Sequence, residues 1–185
     1  MKPIERSELL DYVTYGEQRD EIRASALRAK SVRRILVGDH FTFLFENRET
    51  VRYQIQEMMR IEHIVKEDDI QHEIDTYNEL IHPKGTVGCT LLVGIDDEGE
   101  RATKLRAWLG LNEHIYAKTP DGELRKPTWD ARQVGDDRLS SVQYLSFRIG
   151  EQAPTAVGIA MPGIEAETEL SAPQWEALRE DLNAD

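Results

Sequence analysis

Apolar positions along the chain change period repeatedly, and each change predicts an element. Leu9, Leu10 and Val13 follow Ser7, a residue suited to cap a short first helix that Gly16 then ends. Ile22, Ala26 and Ala29 recur at helical spacing through the next stretch, with Leu27 nearby. From Val32 the spacing tightens: VRRILVG and HFTFLFEN are two β-rich runs on either side of Gly38, Asp39 and His40, which predicts a hairpin. Val51, Ile55, Met58 and Val65 then share a helical stripe flanked by Met59. Ile70, Ile74, Tyr77 and Ile81 form a second stripe that stops at His82-Pro83. A short acidic link between these two helices predicts an antiparallel pair.

After Gly85 the pattern is mostly β. TVGCTLLVGI leads to a turn at Asp96–Gly99, and ERATKLRAWLGL reads as a helical insert. HIYAKT and LRKPTWDAR flank the Pro120-Asp121-Gly122 turn as a second hairpin, with Pro127 best placed near an edge. SSVQYLSFRI and TAVGIAMP supply further strands, and a last helix starts at about Ser171. Hairpins grouped with paired helices predict an α+β fold: an antiparallel sheet, a central antiparallel helix pair, and helices at both ends. The 185 residues fit a single domain, 1–185.

Charge narrows the class of partner. Lys plus Arg is 23 against 35 Asp plus Glu, a net −12 that repels a phosphate backbone, so nucleic-acid binding is disfavoured. The basic run Arg19–Arg34 is a local exception and reads mainly as a solvated helix face, with docking of an acidic partner or an anionic ligand as the alternative. Cys89 is the one cysteine, which excludes an intramolecular disulfide and a multi-thiolate zinc site. No window reaches the roughly 18 apolar residues of a membrane span, and the acidic residues near the start argue against a signal peptide. The expectation is a cytoplasmic protein with no membrane partner, and a symmetric homodimer is the base-rate assembly.

Candidate chemistry gathers between Phe45 and His82. Projection at 100° per residue groups Arg52, Gln56, Arg60 and His63, while Glu62 falls in the sector of Val51, Ile55 and Met58. Arg48 and Arg52, one turn apart, could make a fork for a carboxylate or phosphate, which makes Arg48, Arg52, Gln56 and Glu62 a candidate ligand site; an internal salt bridge to Glu46 or Glu49 is the competing account. On the second helix Asp75, Glu79 and His82 lie along one ridge with His72 beside it, offsets that suit iron or manganese; an acidic solvated face is the competing account. No phosphate-binding loop, dinucleotide fingerprint, nucleophile elbow or zinc-protease motif occurs, so no cofactor is assigned.

FENRETVRYQIQEMMRIE and QHEIDTYNELIH, together with GLNEHIY and SSVQYLSF, resemble the signature segments of a bacterial family known as a domain of unknown function. Members are often encoded beside rubrerythrin and an iron–sulfur oxidoreductase. The resemblance therefore implies an accessory or binding protein of peroxide and redox-stress defence, with one of those proteins as partner. The alternative is a metal-dependent oxidoreductase or acid–base enzyme using the 48–82 helix pair on a small anionic substrate. The segment AMPGIEAETEL departs from the family pattern, since relatives tend to carry His-Pro and an aromatic where this chain has Met161-Pro162-Gly163.

Overall fold

Two four-stranded antiparallel sheets and five α-helices appear in the computed structural model, which describes residues 1–131 and 134–185. Ser7 does not cap a helix as expected; it lies in a single 3-10 turn, Arg6–Glu8. Helix α1 spans Tyr12–Ser31, and Asp11 caps it by accepting from Val13 N at 3.0 Å and Thr14 N at 3.1 Å. It runs straight through Gly16, where a helical glycine costs only about 1 kcal/mol against alanine.

Strands β1 (Arg34–Val37) and β2 (Phe41–Phe45) form the expected hairpin. Helix α2 (Arg48–Ile61) follows, closed by a reciprocal cap: Thr50 N donates to Asn47 Oδ1 at 3.0 Å and Asn47 N to Thr50 Oγ1 at 2.9 Å. Helix α3 (Glu67–Asn78) packs on α2 through Val51, Ile55 and Met59 against Ile70 and Ile74. Met59 is buried and Met58 only half-buried, while Val65 lies beyond α2 and is 67% exposed. The stripe is thus rotated from the expected one because the helix ends before Val65.

Strand β3 (Thr86–Val93) returns beside β2, and helix α4 (Glu98–Ala107) begins where a turn was expected, because Asp97 accepts from Glu100 N at 2.7 Å and caps it. Strands β4 (Ile115–Lys118) and β5 (Leu124–Arg125) form the second hairpin, with β5 at a sheet edge. Arg132, which ends the stretch read as its second strand, lies outside the described residues. Strands β6 (Val142–Arg148), β7 (Ala156–Ile159) and β8 (Ala166–Glu169) precede helix α5 (Ala172–Asn183). The sheet orders are β1-β2-β3-β6 and β5-β4-β7-β8.

Strand alternation divides the first sheet into two faces. Ile35, Phe43, Leu91 and Leu145 face one way and join Ile115, Val157, Leu178 and Leu182 in the main core between the sheets and under α5. Their neighbours face the helices. Register aligns Arg34 with Leu44, Leu44 with Thr90, and Thr90 with Tyr144, which makes one row across all four strands. A second core of Ile4, Leu9, Ile55, Ile74 and Leu80 lies under α2 and α3. Gly88 permits this helical layer to approach closely, since a Cβ there would stand 2.2 Å from the Leu80 carbonyl oxygen.

Candidate functional site

The predicted ligand residues do not converge. Arg48 is used internally: its guanidinium meets Glu8 at 2.5 Å and the carbonyls of Lys2 and Pro3. Gln56 clasps the backbone of Leu10, accepting from its N–H at 2.7 Å and donating to its carbonyl at 3.2 Å. Glu62 is exposed just past the end of α2, so its carboxylate escapes burial and needs no special partner. Arg52 and Gln56 share a groove of about 380 Å³ between α1 and α2, lined also by Glu8, Glu21, Glu49 and Tyr53.

The acidic ridge breaks for a geometric reason. Helix α3 ends at Asn78, after which Leu80 N bonds Tyr77 O and Ile81 N bonds Asn78 O, so helical projection no longer applies at Glu79 and His82. His72 and Asp75 are exposed, and Asp75 accepts from Gln71 Nε2 at 2.7 Å. His82 instead turns to the sheet, where its Nε2 lies 2.7 Å from Ser146 Oγ. Among the described residues no group of three or more His, Cys, Asp or Glu side chains could hold a metal ion.

The basic run also dissolves into separate tasks. Arg19 Nε and Nη2 each reach the Glu57 carboxylate at 2.8 Å, and Tyr15 Oη donates to it at 2.6 Å. Arg33 pairs with buried Asp181. Arg23 and Arg28 are exposed, whereas Lys30 and Arg34 both open onto a pocket of about 250 Å³ between the end of α1, the helix-facing side of the first sheet, and α2 and α3. Leu44, Thr90 and Tyr144 from the cross-strand row line it, joined by Leu92, Val142, Gln54 and Tyr77.

Glu46 brings a carboxylate into this pocket although it is only 6% exposed. It stands between β2 and α2, where its backbone N–H donates to Gly88 O at 2.9 Å. Thr50 Oγ1 donates to one carboxylate oxygen at 2.5 Å and Thr90 Oγ1 to the other at 2.7 Å, which offsets the cost of burying the group. Burial holds the Lys30 ammonium below the usual lysine range; the Glu46 charge opposes that effect and Arg34 adds to it. Lys30 Nζ sits 5.1 Å from the centre of the Tyr53 ring. Tyr77 and Tyr144 both line the pocket, and burial chiefly pushes the Tyr144 hydroxyl up to about 12.

This arrangement can hold a small molecule with an anionic head and an apolar body. Lys30 and Arg34 supply the basic groups of the lining, and Leu44, Leu92 and Val142 its apolar surface. Sequence reasoning missed the pocket because its members lie on β1, β2, β3, β6 and three helices. The usable signal was Glu46, a carboxylate placed directly after the apolar FTFLF strand.

Residues 3–182 match the family described as "Protein of unknown function (DUF3501)". The fold is similar to the crystal structure of a "novel protein of unknown function" from Burkholderia pseudomallei K96243, with a TM-score of 0.91 and 26% identity over 98% of this chain and 100% of that one. No curated protein matches the chain.

Proposed function

We propose that the chain, which belongs to the DUF3501 family, is a binding protein that takes a small anionic molecule into the pocket bounded by Lys30, Arg34, Glu46 and Tyr144. One observation carries the reading. Lys30 and Arg34 line the same pocket, and among the described residues neither side chain makes a hydrogen bond or an ion pair, although acidic groups outnumber basic ones 35 to 23. Two like charges held beside apolar surface favour a neutralising ligand. Such a ligand stabilises the folded state by about 2.7 kcal/mol when present at a hundred times its Kd.

Thermal unfolding with millimolar phosphate, acetate, butyrate and lactate tests the idea. The expected result is a rise in the midpoint for at least one anion, lost in Arg34→Gln and Lys30→Met. An equal rise in those variants, or none with any anion, refutes it. Within a cell this activity would serve an accessory role in peroxide or redox-stress defence, a reading supported by the family resemblance. Recovery of rubrerythrin or an iron–sulfur oxidoreductase with the chain from a native host supports that role, and repeated failure removes it while leaving anion binding in place.

A further inference from the structure

We infer that Lys30 captures the carbonyl group of a small 2-oxo acid as a reversible imine, with Arg34 holding the acid's carboxylate. The inference rests on the anion-binding reading of the pocket and adds a covalent step to it.

The geometry supplies the parts such a step needs. Lys30 is in the last turn of α1, half-buried, and its Nζ has a ring face beside it but no acceptor among the described residues. Lysines become nucleophilic when desolvated or placed near another cation, because both effects favour the free amine. Burial and Arg34 act in that direction here. Lys2, Lys66, Lys84 and Lys126 are exposed, and Lys118 and Lys104 are engaged with Glu167 and Glu100 at 3.0 and 2.7 Å. Lys30 is therefore distinguished by its surroundings.

In the step, the free amine of Lys30 attacks the carbonyl carbon and forms a C–N bond. The carbonyl π electrons move to oxygen, which takes up protons and leaves as water, and the nitrogen lone pair completes the C=N bond. No oxidant or reductant is consumed. The product is a protonated imine, whose positive charge the nearby Glu46 carboxylate opposes while Arg34 balances the acid's carboxylate. The volume of about 250 Å³ restricts the ligand to a short chain, and Leu44, Leu92 and Val142 suit an apolar end.

Pyruvate with sodium borohydride, followed by intact mass and peptide mapping of the full-length chain, tests this directly. Borohydride reduces the imine to a stable amine, so the expected result is one pyruvate-derived adduct concentrated on Lys30. Labelling there should exceed that of each exposed lysine, because burial and Arg34 favour the free amine at Lys30. Lys30→Arg, which keeps the charge, should remove the adduct without changing the unfolding midpoint of the free protein; Arg34→Gln should reduce it. Lactate, which lacks the carbonyl, separates the two readings. If lactate binds in an Arg34-dependent way but pyruvate labels Lys30 no faster than other lysines, the covalent step is wrong and anion binding stands. If lactate and pyruvate both fail to bind, the covalent step falls, and if phosphate, acetate and butyrate fail as well, anion binding falls with it.

Discussion

The pair between Arg33 and Asp181 ties the start of the first sheet to the last helix, and breaking it should be costly. Arg33 Nε reaches Asp181 Oδ2 at 2.7 Å and Nη2 reaches Oδ1 at 3.0 Å, with the two side chains 9% and 7% exposed. Arg33 Nη1 also donates to the Ala29 carbonyl at 3.0 Å. Asp181→Ala removes both ion-pair bonds and leaves Arg33 buried with the Ala29 carbonyl as its remaining partner. Loss of one member of a buried pair costs about 3–5 kcal/mol, a large share of the roughly 5–15 kcal/mol that holds a domain together. In urea the midpoint should fall by about 1–3 M with an unchanged slope. The double variant Arg33→Met/Asp181→Leu removes the desolvation cost along with the attraction, so it should lie within about 1 kcal/mol of the parent or above it. A loss under about 1 kcal/mol for Asp181→Ala, or a double variant as unstable as the single one, would refute the view that this is a desolvated pair.

Three further outcomes follow from other positions. The Glu57 carboxyl is held below the usual glutamate range, first by its bonds from Arg19 and then by Tyr15, so its contribution is present above 4.5 and is lost as pH falls through its lowered folded value; urea unfolding in a descending acidic series from pH 7 should show the destabilisation of Glu57→Gln shrinking as pH falls, and a destabilisation that does not shrink would refute this. Gly88→Ala should cost about 1–3 kcal/mol by thermal unfolding, because its Cβ meets backbone at Leu80, whereas Gly16→Ala, with nothing within 4 Å, should stabilise by about 0.5–1 kcal/mol.

Much of the fold was legible because it depends on local periodicity. The β1–β2 hairpin shows in the aromatic and branched runs around Gly38, and α2 and α3 show in their three-and-four spacing. Gly16 misled because an exposed helical glycine is a small penalty that Asp11 capping and the contacts of Tyr15 overcome. The position of Glu62 misled for another reason: projection assumes that the helix continues, and α2 ends one residue earlier. The pocket was beyond reach by spacing alone. Arg34 and Tyr144 are 110 positions apart and share a row only through three successive strand registers.

That row has a consequence for how such a pocket can diversify. Each strand contributes one side chain to it, Arg34, Leu44, Thr90 and Tyr144, while the adjacent residues Ile35, Phe43, Leu91 and Leu145 point into the main core. If the pocket takes an anion as proposed, exposed Arg34 on the edge strand has, among the described residues, no side-chain bond to lose on substitution, whereas Leu44, 5% exposed, and Thr90, bonded to buried Glu46, carry stability as well, so ligand preference would change most freely at the β1 edge.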